Sequence, residues 1–213
     1  MSLLVNETFF SIQGESSFAG LPCFFVRLTG CNLRCSYCDT RYAYEEGESM
    51  SVEDLLAAMP AEYTGLVEVT GGEPLLQEEC PQLVDRLVRQ GHTVLVETNG
   101  SLDIRSLPEG AVCILDIKCP ESGMSDRMDL DNLARLRLRD EVKFVVQNRS
   151  DYLWARDLVR QAPPRPAEKV LFSPAHSTCE PRELAEWILA DRLEARIQLP
   201  LHRLLWPGVE RAK

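Results

Sequence analysis

The sequence predicts an α/β fold, an incomplete, splayed (β/α)6-type barrel of mostly parallel strands with an extra strand at the N-terminus. Two observations carry this. Apolar runs rich in Val, Ile, Leu and Phe alternate with helical segments along the chain, which implies a parallel sheet. About six such units follow one another, too few for the eight of a closed barrel.

Taken in order, segment 4–10 forms the extra strand. The core strands follow at 22–29, 66–70, 93–97, 112–118, 141–147, 169–172 and 195–199. Helices are expected over 51–59, 78–90, 151–161 and 181–190. Ser51-Val52-Glu53-Asp54 suits a helix start with Ser51 as its cap. Pro181 falls in a first helical turn. Segment 121–139 is polar and reads as short turns with one helix at most. Pro163-Pro164-Arg165-Pro166 is a stiff connector, too short to separate domains, so residues 1–213 read as a single domain.

Side chains alternate across a strand, and here the alternation separates two chemistries. Phe24, Val26, Leu28, Val67, Val69, Val94, Val96, Cys113, Leu115, Ile117, Val142, Phe144 and Val146 fall on one side. Arg27, Glu68, Thr70, Glu97, Asp116, Lys118 and Lys143 fall on the other. The first side packs under helices. The second turns polar toward the strand ends where α/β folds place their chemistry.

The 213 residues suffice for a sizeable core. A net charge of −10 argues against nucleic acid as a partner. No apolar run is long enough to span a membrane, and the N-terminus lacks a secretory pattern, so a cytoplasmic location is expected. Of the eight cysteines, those at 23, 80, 113, 119 and 179 are scattered and read as ordinary buried thiols.

The other three stand together, in Cys31-Asn32-Leu33-Arg34-Cys35-Ser36-Tyr37-Cys38. A structural zinc site needs a fourth ligand, which Asp39 or a distant residue would have to supply. A four-iron cluster held by three thiolates keeps one iron open to a small molecule. The spacing, with an aromatic residue before the third cysteine, resembles the radical S-adenosylmethionine (SAM) superfamily. This resemblance implies a [4Fe–4S] cluster on Cys31, Cys35 and Cys38, with SAM beside it. Thr70-Gly71-Gly72-Glu73-Pro74 is by itself a common turn after a strand; after such a cysteine loop it resembles the superfamily's SAM-binding motif. The resemblance assigns SAM contacts to Gly72 and Glu73, to Ser36, Tyr37 and Asp39, and to the strand ends at Asp116, Lys118, Ser173 and His176.

Ser11-Ile12-Gln13-Gly14-Glu15, Cys38-Asp39-Thr40, Glu97-Thr98-Asn99-Gly100 and Gln198-Leu199-Pro200-Leu201-His202 further resemble the 7-carboxy-7-deazaguanine synthase family. That family implies 6-carboxy-5,6,7,8-tetrahydropterin as substrate and 7-carboxy-7-deazaguanine as product, in the route to queuosine and other 7-deazapurines. The implied reaction removes hydrogen from C6 of the pterin, contracts the ring and releases ammonia, with SAM regenerated. Substrate contacts are then expected from Ile12, Gln13, Gly14, Glu15, Thr70, Glu97 and His202, with Arg27 clamping the carboxylate. Thr40 matches the family's Mg²⁺ ligand. Ser16 stands where the family often has glycine, and Pro200 interrupts the segment before His202. Arg34 and Arg41 suit docking of an acidic flavodoxin- or ferredoxin-like reductant, and a homodimer is left open. The alternatives are an activase that installs a glycyl radical on a partner protein, and a non-enzymatic iron–sulfur or zinc protein. Neither needs an arginine clamp for a small carboxylate.

Overall fold

A computed structural model describes residues 2–162, 169–176, 178–209 and 211. The chain opens with β1 (Ser2–Ile12), which turns back through a loop to pair antiparallel with β2 (Pro22–Leu28). After the cysteine loop, β3 (Glu48–Ser51) pairs antiparallel with the start of β1 and leads into α1 (Val52–Ala57). Parallel strands then follow: β4 (Leu66–Gly71), β5 (Thr93–Thr98), β6 (Val112–Lys118), β7 (Glu141–Val146), β8 (Val170–Pro174) and the two-residue β9 (Arg196–Ile197). Among the described residues these form one sheet ordered β3-β1-β2-β4-β5-β6-β7-β8-β9. From β5 onward each strand is laid beside its predecessor, while β3 is set on the far side of β1 and β4 pairs with β2. No pairing joins β9 back to β3, so the barrel is open.

The crossovers carry α2 (Cys80–Arg89), α3 (Asn132–Arg135), α4 (Arg149–Gln161) and α5 (Pro181–Ala190). Between β5 and β6 the connection contains only a single 3-10 turn at Ile104–Ser106, so one unit of the barrel lacks its helix. The short helix α6 (Leu201–Leu205) follows β9. The expected caps are present. Ser51 Oγ accepts from Asp54 N at 3.1 Å while Asp54 Oδ2 accepts from Ser51 N at 3.1 Å, and Pro181 opens α5.

The apolar side of the strands is the main core. Phe24, Val26, Leu28, Val67, Val69, Val94, Val96, Leu115, Ile117, Phe144 and Phe172 pack under Leu83, Leu87, Tyr152 and Leu184 from the helices. All five scattered cysteines are buried, and none of them forms a disulfide among the described residues. Two expectations are corrected. The strand over 195–199 shrinks to Arg196–Ile197, because it sits at the sheet's margin with both residues exposed. The helix expected over 51–59 stops at Ala57. The β3 strand is not among those expected, since Glu-Ser-Met-Ser carries no apolar alternation. Pro200, which interrupts the segment before His202 in sequence, stands at the start of α6. The connector at 163–166 lies outside the described residues.

Candidate active site

The lumen side of the strands is built in two levels. At the N-terminal ends Phe9, Cys23, Phe25, Leu66, Leu95, Val112 and Ile114 form a second apolar cluster, with Phe18 against it. Phe9 and Phe25 stack with ring centroids 4.8 Å apart. This plug is the floor. One or two residues further along the same strands, the side chains become Arg27, Glu68, Thr70, Glu97, Asp116, Lys118, Lys143 and Ser173.

The loop between β1 and β2 reaches under and into this lumen. Gln13 N donates to Leu21 O and Gly20 N to Gln13 O, both at 2.8 Å, which closes the loop. Ser17 bonds the fully buried Glu141 through its hydroxyl and its backbone N–H, and Lys169 Nζ adds a 3.0 Å bond to the same carboxylate. Ser16 takes φ +63°, the left-handed conformation that glycine adopts more readily. Its N–H donates to Gln198 Oε1 at 2.6 Å and its hydroxyl accepts from Phe18 N at 3.1 Å. The departure at Ser16 is therefore accommodated by local bonds.

Held this way, the loop presents Gln13 and Glu15 upward. Gln13 Nε2 donates to Glu68, while Gln13 Oε1 accepts from Glu15 N at 3.0 Å. Glu68 is buried between Phe25 and Leu95 on neighbouring strands. Burial, reinforced by the Glu97 charge, pushes its carboxyl up to about 8. Lys143 Nζ donates to Glu15 and to Glu97 Oε1, the latter at 2.7 Å, and lies 3.8 Å from Asp116 Oδ2. Lys118 Nζ donates to Asp116 Oδ2 at 2.7 Å. Burial alone would depress both lysines; the carboxylates around them raise both well above the usual range. Burial raises Glu97 and Lys143 opposes it.

Arg27 does not stand free. Its Nε donates to Glu7 Oε1 at 2.8 Å, and the guanidinium lies 5.8 Å from the ring centroids of both Phe9 and Tyr42. One edge of the fork is thus used inside the protein, which leaves its Nη groups for a ligand. From the far end of the chain, Leu201 N donates to Gly14 O at 2.9 Å, and a side chain at Gly14 would meet His202 Nδ1 at 2.7 Å. Pro200 therefore does not divert His202; the ring packs on Gly14. Burial holds the His202 imidazole below its usual range.

The cysteine loop caps the opposite end of the lumen. Gly30, at φ +98°, turns β2 into it. Leu33 anchors it in the interior at 1% exposure. Ser36 N donates to Ser122 O at 3.0 Å and Arg34 Nη1 to Cys31 O at 2.8 Å. Arg41 Nη2 donates to Ser36 O at 2.9 Å, so both arginines brace the loop. Cys31, Cys35 and Cys38 are half-buried and free. Burial pushes the Cys31 and Cys35 thiols up. Asn99 Nδ2 approaches Cys31 Sγ at 3.9 Å and bonds Asn32 Oδ1 at 3.0 Å. Thr40 Oγ1 donates to Asp39 Oδ1 at 3.1 Å, and Arg203 Nη2 donates to Asp39 Oδ2 at 2.7 Å. Burial, the largest single influence, would raise the Asp39 carboxyl; Arg203 and Thr40, with the more distant charge of Lys143, together outweigh it and keep Asp39 below the usual carboxylate range.

The Gly-Gly-Glu turn is a structural joint. A Cβ on Gly71 would lie 2.1 Å from Leu28 O, and one on Gly72 2.0 Å from Gly30 O. Gly72 N and Glu73 N donate to Leu28 O and Gly30 O at 3.1 and 2.7 Å. The Glu73 carboxylate is fully buried and accepts from Leu75 N, Thr98 Oγ1 and Asn99 N at 2.9, 2.8 and 2.6 Å. The Glu73 side chain thus ties β4 to β5, which leaves the backbone at Gly72 and Glu73 as the part of this turn that can meet a ligand.

Residues 25–116 match the model of the radical SAM superfamily. The 7-carboxy-7-deazaguanine synthase of Koribacter versatilis is 42% identical, over 95% of this chain and 96% of its own. The chain belongs to the 7-carboxy-7-deazaguanine synthase family. The enzyme of that name from Chlorobaculum tepidum is 43% identical, over 96% of this chain and 94% of its own. The crystal structure of QueE from Escherichia coli superposes with a TM-score of 0.76 at 26% identity, covering 93% of this chain and 94% of that one.

Membership of this radical SAM family implies a four-iron cluster and SAM, and the residues fit them. Among the described residues no three His, Cys, Asp or Glu side chains converge on a single metal ion. One zinc would draw its sulfurs to within about 4 Å of one another, whereas the cysteines of a cluster bind separate irons. Beside the loop, Tyr37 Oη and Asp116 Oδ1 are buried without a hydrogen-bond partner among the described residues. Such atoms call for a polar ligand. Ser36, Asp116 and Lys118 lie around them, Ser173 is buried on β8, and His176 is exposed beyond it. Sequence reasoning missed Glu7, Asn99 and Gln198 as site residues. Gln198 and Asn99 lay within motifs already noted; Glu7 gave no separate signal. No helix among the described residues is long and apolar enough to cross a membrane.

Proposed function

We propose that this chain, as a single radical SAM domain over residues 1–213, converts 6-carboxy-5,6,7,8-tetrahydropterin to 7-carboxy-7-deazaguanine with loss of ammonia, in 7-deazapurine biosynthesis. The observation that carries this reading is the pairing of acceptor and donor groups in the lumen. Glu15 and Glu97 present carboxylates at mid-lumen, and Arg27 presents a guanidinium held between two rings. A carboxylated pterin has the complementary pattern of N–H donors on one ring edge and an anion on the other.

In this reading Glu15 and Glu97 accept from the pyrimidine edge, with Gln13 beside them and Ile12 and Gly14 shaping the loop. The Arg27 Nη groups take the carboxylate. Thr70 lines the wall and His202 closes over Gly14. Cys31, Cys35 and Cys38 hold the cluster. Ser36, Tyr37, Asp39, the backbone at Gly72 and Glu73, Asp116, Lys118, Ser173 and His176 surround SAM. Together, when bound, cluster and SAM supply one-electron chemistry. Thr40, with Asp39 beside it, offers oxygen to Mg²⁺, which prefers such ligands and keeps waters or substrate oxygens as the rest. Arg34 and Arg41, exposed on the cysteine loop, face an acidic flavodoxin- or ferredoxin-like reductant, in a cytoplasmic setting that keeps thiols reduced.

The test is product analysis by mass spectrometry after anaerobic reconstitution with iron and sulfide. Incubation with SAM, dithionite and the carboxylated tetrahydropterin is expected to give 7-carboxy-7-deazaguanine. Formation of 5′-deoxyadenosine that ignores the pterin would favour an activase. Absence of SAM cleavage by a fully loaded cluster would favour an electron carrier.

A further inference from the structure

We infer that Lys143 is a positioning residue for substrate recognition: its ammonium group holds Glu15 and Glu97 as a co-aligned pair of ionised acceptors for the N–H edge of the pterin. The inference rests on the proposed pterin reading and adds to it the residue that sets the geometry.

Lys143 stands on the lumen side of β7, in register with Asp116 on β6 and Leu171 on β8, and is 6% exposed. It bonds one oxygen of each glutamate, Oε2 of Glu15 and Oε1 of Glu97. Gln198 Nε2 adds a 3.3 Å bond to that same Glu15 oxygen. The other oxygens, Glu15 Oε1 and Glu97 Oε2, take no hydrogen bond among the described residues. Two carboxylates brought to one ammonium group from different elements therefore each keep a free acceptor.

The charges do not cancel. Asp116 is already paired with Lys118, so one lysine serves two glutamates and an acceptor excess faces the lumen. Glu68 faces the same group from β4, and His202 from α6, with Arg203 and Asp39 beyond it. None of these supplies a second cation in contact with the pair. Without Lys143, two half-buried carboxylates would stand side by side, and like charges so placed take up a proton. A pair of ionised acceptors would become one, matched to fewer N–H donors. A lysine that merely plugged the lumen would have filled its neighbours' lone pairs instead.

The experiment is the Lys143→Met variant, reconstituted with cluster and SAM and titrated with the unreactive aromatic analogue 6-carboxypterin by fluorescence, from about pH 6 to about pH 9. Circular dichroism and iron content serve as controls of folding. Affinity at neutral pH is expected to fall about tenfold or more, the size of one charge-assisted hydrogen bond. Relative to wild type at the same pH it is expected to recover as pH rises and the glutamates ionise; the comparison at each pH cancels the ionisation of the analogue's own lactam N–H and of Glu68. A folded variant with wild-type affinity, or with a loss that pH does not move, overturns the role. If Lys143→Met does not fold, Glu15→Gln is compared with Glu15→Gln/Lys143→Met, where one buried charge is already gone. The second substitution must then weaken binding further; equal affinities overturn the inference. A wild-type protein that neither binds nor converts the pterin removes the proposed function itself. A converting wild type beside an indifferent Lys143 variant removes only the positioning role.

Discussion

Phe144 and Lys143 are neighbours on β7 and point to opposite sides of it. Phe144 is fully buried in the helix-facing core, 5.2 Å from the Phe172 ring. Lys143 is nearly as buried, but in a lumen whose side chains are ordered by charge pairs. The helix-facing side is sorted by area removed from water, which is non-directional and tolerant of exchange between similar shapes. Polar groups on the lumen side need partners in particular directions, and Tyr37 Oη and Asp116 Oδ1, like Ser11 Oγ on β1, have none among the described residues. One side is complete as it stands; the other is finished by a ligand.

Cysteines test this contrast most sharply, because they occur on both sides. Cys31→Ala, Cys35→Ala or Cys38→Ala is expected to abolish cluster binding and SAM cleavage. Cys80→Ala and Cys179→Ala, in the helix-facing core, are expected to keep about four irons per chain. Iron and sulfide assays decide it, and an essential Cys80 or Cys179 would erase the distinction between the two sides. Next in size is Phe144→Ala, expected to cost about 3–5 kcal/mol in denaturant unfolding. A loss under about 1 kcal/mol would mean that the core collapses around the gap.

Arg27→Ala should weaken use of the carboxylated pterin by about 30- to 1000-fold, the cost of removing one partner of a buried charge pair. Glu7→Gln, which keeps shape but loosens the guanidinium, should cost less. Steady-state kinetics on both variants sharpen the comparison: equal losses would place the effect in the Arg27–Glu7 pair rather than in a ligand contact.

The smallest expected effect concerns Glu68. Its carboxyl lies at about 8 when folded, against an ordinary value of 4.5. Between those values the folded chain binds a proton that the unfolded chain lacks. Its contribution to stability is therefore fully present below about pH 4.5 and lost as pH rises through about 8. Glu68→Gln has no proton to lose. It should match wild type near the acid end and exceed it by on the order of 2 kcal/mol near the alkaline end. Thermal melts across that range check the sign; a variant less stable than wild type at alkaline pH would place an ionised, paired carboxylate at this position.

The helix-facing side was legible because area and periodicity are local properties. Val67 and Val69, or Val94 and Val96, declare their side within three residues. The cysteine loop was legible for the same reason, its ligands lying within eight residues of sequence. The lumen was legible only as a list of polar positions. Lys143 meets Glu15 across 128 residues and Glu97 across 46, and no local pattern reports such pairs. Glu73 drew attention for its charge, and its charge turned out to join two strands. Arg27 was placed on the lumen side correctly, while Glu7, which holds one edge of it, sat in a strand whose polar residues carried no signal. Ser16 was noted as an irregularity, and the +63° backbone gives its physical reason.

The sequential order of the sheet also has a consequence for how the chain acquires its parts during synthesis. Strands are laid side by side as they are made, and the surroundings of Cys31 come early: Gly72, Glu73 and Asn99 all precede the midpoint of the chain. The substrate loop emerges first of all, yet its contacts with Lys143, Glu141, Gln198 and His202 come 120 or more residues later. Such distant contacts are slow to close. The nascent chain thus carries a nearly complete cradle for the first cysteine beside a reading loop held only by its own closing bonds and by Gln13 on Glu68. A release of the chain before Gln198 would leave the cysteines present and the loop without its bonds to Gln198 and its packing on His202.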